Sequence, residues 1–319
     1  MFLVIVTTTL FAGCDFDTKE RPSQSITFVS TRDFDGLMNA GEIYTMKFDG
    51  TELRRITNNS EDDRQPNFSP NGKRIVFSRG APSHPGQEIY VMNADGTGEV
   101  RLTDNDANDQ MAAFSPNGEE IVFTSSRDGN PEIYIMNSDG SNVRRLTVHD
   151  GIDQYPTWSP NGKQIAFSRD SDPDPDVENA DIYVMNDDGT RVTRLTSNRI
   201  FEYKPSWSPD GKCIAFAVFL GDHSTPSYHE IWLMNADGSD VHSLTPKPAG
   251  VSENEWDNRW PVWSNDGRHI YFQSVRLESV TQPDALHPQG FDIFRMDADG
   301  GNPINLTQHF GVDATPDVR

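Results

Sequence analysis

The sequence predicts an all-β fold: a six-bladed β-propeller of four-stranded antiparallel blades, closed by pairing of its N- and C-terminal strands. Three observations predict it. The unit "QYPTWSPNG" at 154–162 has close copies ending at Gly72, Gly118, Gly211 and Gly267. Thr57, Thr103, Thr147, Thr196, Thr245 and Thr307 close six units at intervals of 46, 44, 49, 49 and 62 residues, a period that suits four-stranded blades and shows no helical spacing. The chain ends in "GVDATPDVR", which matches the approach to Trp158, and "SITFVSTRD" at 25–33 matches "EIVFTSSRD" at 120–128. One blade is therefore shared between the termini: 313–318 supplies its innermost strand, and the N-terminal residues supply the other three. That closure removes the exposed edge of an open array.

In chain order, residues 1–13 read as a signal peptide, because the apolar run is too short to span a bilayer. Phe11-Ala12-Gly13-Cys14 resembles the lipobox of bacterial lipoproteins, which implies cleavage before Cys14 and a lipid on its thiol. A plain cleaved signal or a buried strand fits the same residues. Residues 14–24 then form a polar linker and 25–319 the propeller. Two cysteines are too few for a disulfide framework, and Cys213, inside "GKCIAFAV", reads as an inert core residue. The 34% hydrophobic content, with 24 Gly and 21 Pro, fits short strands and turns. A net charge of −22 disfavours nucleic acid and anionic lipid, so the membrane is met only through the anchor.

Each blade repeats four elements. A first strand ends in Phe68, Phe114, Trp158, Trp207 or Trp263 and a tight Asn-Gly or Asp-Gly turn, whose glycine supplies the positive φ that hairpins need. A β-rich second strand follows, then a third of the form "EIYVMN", a turn at Asp-Gly, and a short fourth strand ending in Leu-Thr or Ile-Thr. The aromatic residues are assigned to the space between blades. Met46, Met92, Met136, Met185, Met234 and Met296 recur in register and are assigned to the sheet core. The pattern "P-x-W-S-P-[ND]-G-K-x-I-A-F … I-Y-x-M-N-x-D-G … R-L-T" resembles the WD40-like (PD40) repeat of TolB-type propellers. TolB itself is periplasmic, binds a peptidoglycan-associated lipoprotein and carries an additional N-terminal α/β domain with no counterpart in this sequence. The resemblance carries the fold rather than the Tol role.

Strand directions place both tight turns on one face of the disc and the variable connections on the other. Insertions at 80–87, 170–181, 219–229 and 276–290 all fall on the second face, where a rigid scaffold displays binding loops. Five residues before each first-strand aromatic stand Asp63, Asp109, Asp153, Glu202 and Asn258, with Asp313 in the closing blade. These are expected to ring the channel mouth on the variable face. Like charges held together raise each other's pKa or recruit a cation, and oxygen ligands at Asp109, Asp153 and Glu202 suit Ca²⁺. No cofactor is required. The competing reading is a salt-bridged rim, because Arg32, Arg79, Arg127, Arg169 and Arg276 end the second strands. Glu202 lacks such an arginine, so it is the carboxylate most available to a ligand. Asp170, Asp172, Asp174 and Asp176 read as a solvated acidic loop without the glycine of an EF-hand.

No nucleophile elbow, HExxH or P-loop occurs. The expected function is an envelope-located, lipid-anchored, monomeric module that binds an envelope protein or peptide at the variable face. The alternative is a metal-dependent carbohydrate lyase or hydrolase using loop residues His84, His149, His223, His229, His287 and His309.

Overall fold

The computed structural model describes residues 25–32, 41–80, 86–170, 179–198, 200–221, 227–253, 256–275, 290–308 and 311–319. The signal segment, Cys14, the linker, Arg276, His84, His223, His287, His309 and most of the acidic loop lie outside the described residues. Six sheets of four antiparallel strands follow one another around a ring. Blade 1 runs outward through Asp313–Val318, Ser25–Ser30, Glu42–Lys47 and Arg54–Arg55. Blades 2 to 6 begin with the innermost strands Asp62–Phe68, Asp109–Phe114, Ile152–Trp158, Phe201–Trp207 and Asp257–Trp263. Among the described residues no helix is long and apolar enough to cross a membrane.

The predicted closure is present. Ile26 pairs with Val318 and Ser30 with Asp313, and Ser25 and Arg319 exchange backbone hydrogen bonds of 2.5 and 2.8 Å. The core is divided among the six blade interfaces. Trp158 of blade 4 packs with Val122, Ile133 and Ile135 of blade 3, and Trp207 of blade 5 with Ala166, Ile182 and Val184 of blade 4. Val318 takes the aromatic's place in blade 1, against Tyr271 and Ile293 of blade 6. Each such side chain stabilises its interface by about 1.5–3 kcal/mol. The six register methionines and Cys213 are all buried, but Cys213 is disulfide-bonded rather than the inert free thiol that its place in a core strand suggested.

The Asp-Gly turns lock neighbouring blades. Gly140 of blade 3 has φ of 87°, and a Cβ there would stand 2.9 Å from the Leu102 carbonyl oxygen of blade 2. Gly50 makes the same approach to Leu306, joining blade 1 to blade 6, where a Cβ would lie at 2.7 Å. Only glycine permits both the left-handed backbone and the contact.

The closing threonines have a structural task that spacing did not reveal. In every blade the Thr hydroxyl accepts the amide of a third-strand isoleucine, as Thr147 does from Ile133 at 2.9 Å. Thr103 and Thr147 also donate to the buried carboxylates Glu88 and Glu132 that head the third strands. Arg55, Arg101, Arg145 and Arg194 of the outermost strands neutralise Glu42, Glu88, Glu132 and Asp181. This network holds each two-residue edge strand to its sheet.

Candidate functional site

Asp63, Asp109, Asp153, Glu202, Asn258 and Asp313 are all 0% exposed. Four of the carboxylates are bound within their own blades. Arg79 grips Asp63 at 2.5 and 3.0 Å, and Arg169 grips Asp153 through two contacts of 2.7 Å. Arg127 reaches Asp109 at 2.7 Å and Arg32 reaches Asp313 at 2.6 Å. Each guanidinium also lies over two aromatic rings of its sheet, as Arg79 does over Phe77 and Tyr90. Burial raises the pKa of Asp63 and Asp153, with the paired arginines opposing the rise. Among the described residues no three His, Cys, Asp or Glu side chains are grouped so as to hold a metal, Asp109, Asp153 and Glu202 included.

The pattern breaks in blade 5, and in blade 6 the neutral Asn258 stands at the carboxylate's position. Glu202 lies opposite Val218 and has no arginine; Asn198 donates to it at 2.5 Å, and its Oε2 is buried without a hydrogen bond. Burial pushes its pKa up to about 7. The Ser274 hydroxyl donates to Asn258 Oδ1 at 2.8 Å. His229 lies at the start of the strand Tyr228–Asn235 rather than on a loop, and its Nδ1 is 2.9 Å from Asp257 of the next blade. Arg259 binds the same carboxylate at 2.8 and 2.6 Å. Burial favours neutral Asp257, but His229 and Arg259 outweigh it and hold its pKa below the usual range.

A second ring escaped sequence reasoning. Gln65, Met111, Tyr155, Lys204, Trp260 and Thr315 occupy one register position of the six innermost strands, and all have φ between 51° and 58°. Each sits where the ladder shifts register, a β-bulge, and five are followed by proline, which has no amide to offer the ladder. The run Tyr-Pro or Trp-Pro within a strand was the available signal. Two of them meet at the axis: the Tyr155 and Trp260 rings lie edge-on at 5.6 Å although their blades are not neighbours. Lys204 Nζ lies 5.3 Å from the Trp260 ring, and burial lowers its pKa. Tyr203 extends the cluster to Tyr155, Phe201 and His229 at 5.4, 5.4 and 5.7 Å. In the connection from blade 3 to blade 4 on the variable face, Val148 is 83% and Ile152 41% exposed.

On the opposite face a cavity of about 390 Å³ opens along the axis, rimmed by Pro70, Pro116, Pro160 and Pro209 of the tight turns. Asp317 in its wall accepts the Phe68 amide at 2.7 Å, and burial pushes its pKa up to about 6. The variable-face mouth and this well are therefore separated by the axial ring.

Residues 82–181 match the family model "TolB beta propeller domain". No curated protein matches the sequence. The fold is similar to a crystal structure of TolB from Acinetobacter baumannii, with TM-score 0.71 and 22% identity over 92% of this chain and 66% of that one. The chain thus spans just under two thirds of that protein. A chain of a nidogen/laminin complex is similar at TM-score 0.67 and 12% identity, over 92% and 98% of the two chains. An oligogalacturonate lyase from Vibrio parahaemolyticus is similar at TM-score 0.52 and 11% identity, over 88% and 79%. In fold, the chain is a TolB-type six-bladed propeller.

Proposed function

We propose that this propeller is an envelope-located binding module that engages a protein or peptide segment on its variable face, over blades 4 to 6. The supporting observation is the break in six-fold regularity. Where blades 1 to 4 pair the mouth carboxylate with an arginine, blade 5 sets Val218 opposite Glu202 and, among the described residues, supplies none. The aromatic cluster and exposed Val148 lie on the same side of the ring. An extended apolar segment carrying one hydrogen-bond donor or cation complements that sector; apolar anchors supply most binding energy in such contacts.

The test is affinity capture from solubilised envelope with the full chain. Val148→Asp is expected to lower recovery of the same partner roughly tenfold, the equivalent of about 1.4 kcal/mol. Glu202→Gln lowers it severalfold, and Lys163→Glu on the turn face leaves it unchanged. Recovery that survives both variable-face changes, or falls with Lys163→Glu, refutes the assignment.

A further inference from the structure

The asymmetric sector holds an amine at the axis that the described chain does not satisfy, and we propose that the segment bound on the variable face presents a carboxylate to Lys204. This rests on the binding-module reading above and names the chemistry its partner must carry. Lys204 is the only cation among the six bulge residues of the innermost strands, the others being Gln65, Met111, Tyr155, Trp260 and Thr315. Its Nζ stands 5.3 Å from the Trp260 ring, a cation–π contact, and among the described residues it makes no hydrogen bond and no ion pair. An ammonium offers three donors and no acceptor, so those donors are left for water or a ligand oxygen. Burial lowers its pKa, and the Asp317 charge in the well wall opposes that fall without pairing with it. A carboxylate brought to such an amine favours its charged form.

Three further groups of the sector can donate to the same ligand. Arg259 spends Nε and Nη2 on Asp257, which leaves Nη1 without a hydrogen bond among the described residues, and 33% of its side chain is exposed. The Tyr155 and Tyr203 rings lie 5.4 Å apart, and neither hydroxyl is hydrogen-bonded to a described residue. The Arg259 charge acts on both phenols, which places all three together. The acidic groups nearby do not compete for these donors. Asp63, Asp109, Asp153 and Asp313 are buried against their own arginines, Glu202 is buried, and Asp257 is held by His229 and Arg259. The net charge of −22 repels anions at a distance, so the sector selects its carboxylate by short-range contact. Tyr155, Tyr203 and Trp260 supply an aromatic wall for an apolar residue beside it. A peptide terminus or acidic side chain flanked by apolar residues has this chemistry.

The experiment measures Kd by titration calorimetry on the full chain with a small set of probes. N-acetyl-L-phenylalanine carries a terminal carboxylate, N-acetyl-L-glutamic acid α-amide a side-chain carboxylate, N-acetyl-L-phenylalaninamide the ring without the charge, and D-galacturonate a sugar acid. At least one of the two peptide carboxylates is expected to bind about tenfold more tightly than the phenylalaninamide, the scale of one charge-assisted hydrogen bond. Lys204→Met is expected to erase that preference and Lys204→Arg to retain part of it, both at unchanged melting temperature. Should the variants fail to fold, the comparison of acid with amide on the wild-type chain decides alone. Peptide carboxylates that do not bind, an amide that binds as tightly as the acids, a preference that survives Lys204→Met, or tightest binding of D-galacturonate overturns the proposal. Partner capture that still falls with Val148→Asp then leaves the binding-module reading standing, whereas capture indifferent to Val148→Asp and Glu202→Gln removes that reading itself.

Discussion

At the scale of single residues, the mouth carboxylates fall into two chemical classes. Asp153 and Arg169 are a buried pair, so Asp153→Ala strands a guanidinium of 9% exposure and is expected to cost about 3–5 kcal/mol in chemical denaturation. That cost makes Asp153 a poor probe of binding. Glu202 behaves in the opposite way. Its folded pKa of about 7 lies above its ordinary 4.5, so between these values the native chain holds a proton that the unfolded chain has lost. Its contribution to stability is present at acid pH and is lost as pH rises through 7. Glu202→Gln is therefore expected to be stabilising at pH 8, by an amount on the order of 3 kcal/mol at most, and near neutral at pH 4. A melting series across pH checks this; destabilisation at pH 8 would show that the carboxylate has a cationic partner. The absent arginine was legible in the sequence as Val218 and Phe219. The burial of every mouth position and the link from His229 to Asp257 of the next blade were not, because both depend on inter-blade packing that no local spacing encodes.

At the scale of elements, the hairpins were legible because Asn-Gly and Asp-Gly demand positive φ, and every predicted first, second and third strand is present. The role of the closing threonine was not, since its partners lie 14 and 15 residues away in another strand. Thr147→Val keeps the shape but leaves the Ile133 amide and Glu132 short of a partner. It is expected to cost about 1–3 kcal/mol, read as a lower denaturant midpoint at unchanged m-value. The bulges were missed for a different reason: a non-glycine residue at positive φ before proline is selected by the ring, which turns six side chains onto one axis. Strain of this kind, about 1–3 kcal/mol per residue, persists where the surroundings enforce it.

At the scale of the whole molecule, the repeat predicted the ring and its closure because each blade buries its aromatic residue against the blade before it. Removing 313–319 takes away the innermost strand of blade 1, together with Val318 at its interface with blade 6. The truncated chain is expected to expose a strand edge and to aggregate or melt well below the full chain, as scanning calorimetry and light scattering would show. Among the described residues, blades 1 to 4 close the mouth carboxylate with an arginine of their own, and blade 5 does not. The central claim is that this asymmetric sector receives the partner. Amide hydrogen exchange on the captured complex tests it most directly. Protection confined to residues near 148–155, 200–204 and 256–260 is the predicted result; protection centred on the tight turns around Pro70, Pro116, Pro160 and Pro209 would contradict it.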